Sequence, residues 1–329
     1  MINTDTVLEP LLSLRADRSH GWDDRTKGQA PHKPLLLLSI LDRIEQGTIQ
    51  DHRIELTQDL TDTFFTYWNA IMGEDKITTI ALPFYHMKSE PFWELQYRKG
   101  KDVYKSSPSL GGLQDRVEFA VIEPALFDMM VAPGSRERIR YLLMSHYFSK
   151  VTSEKVMKIG SFNMNAWDYS EEIYSMVAEP FVPYQTDEKK RKLVKRYEQV
   201  REAGFSTTVR KNFEYHCAVC RNRLVTPGGQ SIVEGAHIIP WSESNNDDPR
   251  NGLSLCRTHH WMFDKMMLTI RDDYTILLSK WVERNENKME ETVKLKNSEI
   301  LLPKDSRYYP SKVALQDHTE RFDTFHEKN

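Results

Sequence analysis

The sequence predicts an α+β protein of two domains: a mainly helical N-terminal one with a short-stranded aromatic segment, and a C-terminal one organised around metal-ligand spacing. Three observations predict it. The chain has 329 residues, and at roughly 150 residues per domain that length divides into about two cores. The N-terminal half sets apolar stretches of helical length around one aromatic-rich run, Ile77 to Tyr97. All three cysteines fall in the C-terminal half.

The elements follow in chain order. Pro31-His32-Lys33-Pro34 marks a helix entry, because proline is tolerated in a first turn, and the run to Leu41 continues as a buried helix. A second helix is expected over Thr57 to Ala70, an aromatic loop and strand over Ile77 to Tyr97, and further helices over Ser135 to Phe148 and Glu171 to Val177. Lys189 to Glu202 lacks Gly and Pro, and Leu193, Val194, Tyr197 and Val200 give it a narrow apolar face, so it reads as a charged helix. A short strand ending at His237 enters a loop closed by Pro240; Thr258 to Lys265 reads as a helix, Leu268 to Val282 as a strand and turn, and Ser311 to Phe325 as a closing helix. These elements divide the chain into residues 1–150, a helical, basic linker region over 151–205, and a second domain over 206–329.

Composition excludes several classes. Apolar residues make up 39% and charged residues 28%, which places the chain among globular proteins rather than disordered or collagenous ones. The longest apolar run, Pro34 to Ile40, is far short of the roughly 20 residues that a bilayer helix needs. Met1 to Leu14 has no basic region leading into an apolar stretch, so no secretory signal is read there and the expected location is cytoplasmic. A net charge of -3 argues against a uniformly basic nucleic-acid binder. Charge is uneven, however: Asp187 to Arg223 carries 11 Lys or Arg against five acids, a net of +6. That stretch reads as a solvated connector, as a surface that guides phosphates, or as both.

The cysteines carry the sharpest signal. In a reducing compartment they are thiols, nucleophiles or metal ligands rather than disulfides. Cys217 and Cys220 form a C-x-x-C pair, and Cys256 with His259 forms a second pair with two residues between. Two such pairs fit a closed tetrahedral zinc site with ligands from two chain segments. The competing reading makes Cys217 and Cys220 a redox pair, but that motif normally opens a helix in a βαβ context, which the surrounding sequence lacks. His260 directly follows His259, and on a helix Cys256 shares a face with either, so spacing alone leaves the fourth ligand open.

The run His237-Ile238-Ile239-Pro240, then Asn251-Gly252-Leu253-Ser254-Leu255-Cys256-Arg257-Thr258-His259-His260-Trp261-Met262-Phe263-Asp264, behind the C-x-x-C, resembles the HNH nucleases with their ββα-metal fold. The resemblance covers about Phe213 to Leu268. It implies His237 as general base, Asn251 as stabiliser of the loop that carries it, and His260 as ligand of a catalytic Mg2+ or Mn2+. Zn2+ on Cys217, Cys220, Cys256 and His259 is then structural. Imidazole suits the base because its pKa lies near working pH, provided that an acceptor holds one ring nitrogen. One position departs from the pattern: many members carry an acid just before the base, and here it is Ala236. Glu234 is the nearest carboxylate, three steps along a strand and so on the opposite face from His237. Asp264 reads equally as a structural anchor or a solvated helix residue.

In the N-terminal half, His32-Lys33-Pro34-Leu35-Leu36-Leu37-Leu38 paired with the later Leu82-Pro83-Phe84, Met87, Trp93 and Leu95 resembles the sulfur-binding domains that read phosphorothioate DNA in type IV, modification-dependent restriction enzymes. The resemblance spans about residues 10 to 150. It implies contact of His32 and Lys33 with the modified backbone and an apolar cup from Leu82, Pro83 and His86. Leu82 and His86 replace an aromatic and a small residue, and Lys33 stands where Arg would make a forked contact, so a modified base stacked on Phe84 or Tyr85 stays open. The expected protein is a defence endonuclease whose partner is double-stranded DNA carrying a modification. Two alternatives remain: a zinc-containing DNA-binding or regulatory protein that has lost catalysis, motivated by Ala236, and a nicking nuclease without modification dependence. Double-strand cutting by a one-site module would favour a homodimer or two successive nicks.

Overall fold

The computed structural model describes residues 4–19, 21–74, 76–101, 108–185, 198–284 and 290–328. The chain is α+β and splits into two compact units: Met1–Met164 with Val225–Gln230, and Asn165–Leu224 with Ser231–Asn329. No described helix is long and apolar enough to cross a membrane.

The first unit is built around the His32–Glu45 helix. Its Leu35, Leu36, Leu37, Leu38, Ile40 and Leu41 are fully buried. A helix apolar on all sides has to sit inside a core, and the Gln58–Met72 and Pro133–Tyr147 helices pack against it. Each such side chain stabilises by about 2 kcal/mol through burial alone. Thr57 caps the Gln58–Met72 helix by accepting from the Leu60 amide at 3.2 Å, and Gly73, at φ +90°, ends it. Asp42 lies fully buried in the first helix, and Tyr67 Oη, Arg140 Nη1 and Asn163 Nδ2 donate to it at 2.7, 2.5 and 2.8 Å. Satisfied in this way, the carboxylate cross-links its own helix to three others without an orphan charge.

A three-stranded antiparallel sheet completes this unit: β1 (Arg53–Ile54), β2 (Trp93–Tyr97) and β3 (Val117–Ile122), in the order β1-β3-β2. Trp93 pairs with Ile122, and the register slips between Gln96 and Tyr97. The aromatic run differs from expectation. Only its end is a strand; Ala81–His86 forms a helix, with Pro83 in the first turn, where its missing N–H costs nothing. The helix expected over Glu171 to Val177 is the last part of a 26-residue helix, Lys150–Ser175. Most of the expected Lys189 to Glu202 helix lies outside the described residues; from Glu198 the chain is helical to Asn212, running through Gly204 and past the expected end.

The second unit holds two antiparallel hairpins, β4 (Val233–His237) with β5 (Gly252–Cys256), and β6 (Leu268–Ile270) with β7 (Ile276–Leu278). The Arg257–Asp264 helix follows β5 directly. The closing helix, Lys312–Lys328, packs on β6, where His318 Nδ1 meets Thr269 Oγ1 at 2.8 Å and its ring stacks on Phe263 at 3.7 Å. Phe205, Val209, Leu253, Leu255, Met262, Phe263, Leu268, Ile276 and Leu315 share this core.

Candidate nuclease site

The β4–β5 hairpin is the frame of the site. In its register Glu234 opposes Leu255, Gly235 opposes Ser254 and His237 opposes Gly252. The Glu198–Asn212 and Arg257–Asp264 helices both pack on it. Two glycines let the first of these approach: a Cβ on Gly235 would lie 2.7 Å from Ser206 Cα, and one on Gly252 would lie 2.4 Å from Val209 Cγ2. Both distances are shorter than real Cβ contacts, so any side chain there would push the helix away.

Behind the hairpin, Cys217, Cys220, Cys256 and His259 each bring one ligand atom, all within 4.8 Å of one another. His259 Nδ1 lies 3.2 Å from Cys256 Sγ and 3.5 Å from Cys217 Sγ. Tetrahedral zinc, with Zn–S near 2.3 Å and Zn–N near 2.0 Å, sets S-to-N separations of about 3.5 Å. The donor set and its spacing therefore fit zinc, and His259 rather than its neighbour lies with the sulfurs. Packed this closely, the sulfurs titrate against one another: hydrogen bonds with Cys220 and Cys256 push the Cys217 thiol up, and those with Cys217 and Cys220 push Cys256 down.

His260 turns elsewhere. Its Nδ1 lies 3.0 Å from Glu234 Oε2, and its Nε2 lies 3.7 Å from Asp264 Oδ2. Arg257 Nε donates to the other Glu234 oxygen at 3.3 Å. A carboxylate on one imidazole nitrogen fixes the ring and leaves the second nitrogen to bind a cation. An imidazole nitrogen and a carboxylate oxygen suit magnesium or manganese, with water and phosphate oxygens completing the shell. Among the described residues, Cys217, Cys220, Cys256 and His259 form the one cluster of three or more His, Cys, Asp or Glu side chains that could hold a metal ion.

His237 faces a different set of partners. Its ring stacks on Phe205 with centroids 3.7 Å apart and planes 7° from parallel, and its Nε2 lies 2.8 Å from Asp247 Oδ1. Asp247 is buried and also accepts from Arg201 Nη1 at 2.7 Å and from Tyr169 Oη at 2.7 Å. Burial, then the Asp247 charge, push the Tyr169 phenol well above its ordinary value, so it stays a donor. Arg201 in turn sits 4.1 Å over the Trp241 ring. Asn251, fully buried, accepts from the Ile239 amide at 3.0 Å and donates to the Ile239 and Asn246 carbonyls, both at 3.1 Å. It thus binds together the two ends of the loop that leaves His237. His237 thus contacts Phe205 and Asp247, and His260 contacts Glu234 and Asp264.

Sequence reasoning missed Asp247, Arg201, Tyr169 and Phe205. The single available mark was an acidic pair, Asp247-Asp248, between His237 and Asn251; no spacing rule connects it to residues 169, 201 and 205.

The N-terminal candidates separate into surface and core. His32 is half-buried between Trp22 and Trp68, at ring distances of 5.4 and 4.6 Å, with its Nε2 2.9 Å from Thr78 Oγ1. Burial, and then Lys76, push its imidazole down to about 4, so the ring is neutral at neutral pH. Lys33 departs furthest from expectation. Its side chain is 8% exposed and forms a short ion pair with Glu90, with Ser89 Oγ at 2.8 Å. Its charge is spent inside the unit rather than offered to a phosphate. Phe84 and Tyr85 are core residues and Pro83 is buried, whereas Leu82 keeps some surface and His86 is exposed. The stacking platform expected of Phe84 and Tyr85 is thus absent from the surface in this conformation.

Comparison with known proteins bears on both units. Residues 217–271 match the family model of the HNH endonucleases. Residues 4–160 match that of the ScoMcrA-like DNA sulfur-binding domain. Among solved structures, a modification-dependent TagI restriction endonuclease aligns at 23% identity over 37% of this chain and 38% of that one, with a TM-score of 0.28. The chain thus spans under two fifths of that protein's length. No curated protein matches.

Proposed function

We propose that this chain, which carries an HNH endonuclease domain and a sulfur-binding-type DNA domain, is a modification-dependent restriction endonuclease. The N-terminal unit holds DNA that bears a mark, foremost a phosphorothioate, and the C-terminal unit hydrolyses a phosphodiester nearby. The observation that carries this reading is the joint arrangement of His237, Asn251 and His260 on one hairpin and helix clamped by the Cys217, Cys220, Cys256 and His259 cluster. In this reading His237 takes a proton from water as general base, and Asn251 keeps the loop around it in place. Mg2+ or Mn2+, held at His260 Nε2 near Asp264 with Glu234 orienting the ring, would supply positive charge to the phosphate and leaving oxygens. Zinc, which Cys217, Cys220, Cys256 and His259 would hold, would fix strand and helix at one separation.

Reading and cutting add together through local concentration: DNA held by one unit is presented to the other at an effective concentration set by the chain between them. In this reading the contacts to the mark come from His32 and Leu82, which are half-buried, and from the exposed His86. A neutral His32 among tryptophans suits a weakly hydrated sulfur better than a strongly hydrated phosphate oxygen. Matched plasmids, unmodified, phosphorothioated, and methylated or hydroxymethylated at cytosine, test the reading with Mg2+ or Mn2+ present. The expected outcome is cleavage of the phosphorothioated plasmid alone; equal cleavage of all of them would leave a nuclease without modification dependence, and cleavage of none would favour a DNA-binding protein.

A further inference from the structure

We infer that Asp247 is the positioning residue of His237, and that helices upstream of the HNH family match supply the parts that hold it there. The inference deepens the nuclease reading and rests on it for the catalytic role, though not for the geometry.

A carboxylate buried as deeply as Asp247 costs several kcal/mol of desolvation unless it is paired. Here three donors converge on it: Arg201 Nη1 and His237 Nε2 on Oδ1, at 2.7 and 2.8 Å, and Tyr169 Oη on Oδ2, at 2.7 Å. A guanidinium and a phenol hydroxyl both donate to Asp247, the pattern of a carboxylate that accepts on both oxygens. The proton therefore sits on Nε2 of His237, which makes Nδ1 the acceptor of the ring. With Nε2 turned to Asp247, this tautomer leaves Nδ1 as the nitrogen that can take a proton. Phe205, stacked 7° from parallel, holds the plane of the ring. When Nδ1 gains a proton from water, the imidazolium lies against the Asp247 carboxylate, which stabilises the protonated base.

Tyr169 belongs to the Lys150–Ser175 helix, and Arg201 and Phe205 belong to the Glu198–Asn212 helix. None lies within residues 217–271. The working nuclease unit therefore extends upstream of the matched motif, to at least Tyr169. The competing role for this cluster is purely structural, an ion pair that anchors the loop from Asn245 to Asn251.

The test uses the full chain with histidines labelled with 15N, comparing wild type, Asp247→Asn and Tyr169→Phe. The inference expects His237 of the wild type to be the Nε2–H tautomer. In Asp247→Asn its titration moves to lower pH as the charge partner is lost, and cleavage falls by about 100-fold or more with the zinc content unchanged. Tyr169→Phe removes one donor from Asp247 without removing the ring; it is expected to shift the His237 titration in the opposite direction, upward, because a carboxylate with fewer donors holds an imidazolium more strongly. An unchanged His237 tautomer and titration in both variants would overturn the inference. So would a loss of cleavage that tracks zinc loss or unfolding while the Tyr169→Phe titration stays at the wild-type value. The magnetic resonance readout needs no turnover. A wild type that shows the tautomer and its dependence on Asp247 yet cuts no DNA overturns the nuclease reading and leaves the positioning intact.

Discussion

The two candidate sites treat neighbouring residues in opposite ways. In the first unit His32 and Lys33 are adjacent in sequence and part in space, His32 to Trp22 and Trp68, Lys33 to Glu90. In the second, Tyr169, Arg201, Phe205, His237, Asp247 and Asn251 are spread over 83 positions and gather within hydrogen-bond or stacking distance around one loop. The first outcome follows from helix geometry: successive residues are about 100° apart around the axis, so a pair at i and i+1 points in different directions. The second follows from a strand pair and two helices that bring distant segments onto a shared frame. Adjacency in a helix is thus a poor guide to a site, and spacing around a hairpin is a good one.

Zinc loss is the largest way to break the contrast. Cys256→Ser is expected to abolish metal binding and to unfold the second unit, since structural zinc contributes on the order of 10 kcal/mol in small zinc domains, while the first unit keeps its own melting transition. Metal analysis together with calorimetry checks this, and a two-unit collapse in a single transition would contradict it. A smaller effect separates the roles of Lys33. Lys33→Ala leaves Glu90 buried without its charge partner, a change that costs about 3 to 5 kcal/mol. The first unit should lose that much in a denaturant titration; unchanged stability with weakened DNA binding would return Lys33 to the DNA surface.

Much of the second unit was legible in the sequence because metal chemistry restricts both residue type and spacing. Cys217, Cys220, Cys256 and His259 lie together as the spacing of the two pairs predicts, and His260, which helical spacing left as an alternative, contacts Glu234 instead. The long helices of the first unit were legible for a similar reason: a proline-marked entry before Leu35 and a Thr57 cap are local signals. β1 and β3 were not legible, since Arg53–Ile54 is two residues long and gains its identity only from pairing with Val121 and Ala120. The Ala81–His86 helix was hidden by its proline and aromatics, which suggest a loop or strand until tertiary packing buries Phe84 and Tyr85. Asp247 was hidden because an acid in a polar loop looks solvated; only the fold shows it enclosed by Arg201 and Tyr169.

The central claim is that reading and cutting belong to separate units, and His237→Ala tests it most directly. General base catalysis is worth about 100- to 10,000-fold, so the variant should lose cleavage of phosphorothioated plasmid by at least the lower figure. Its affinity for the same DNA, measured at one fixed salt concentration, should equal that of the wild type. Retained cleavage, or binding lost in step with it, would contradict the account.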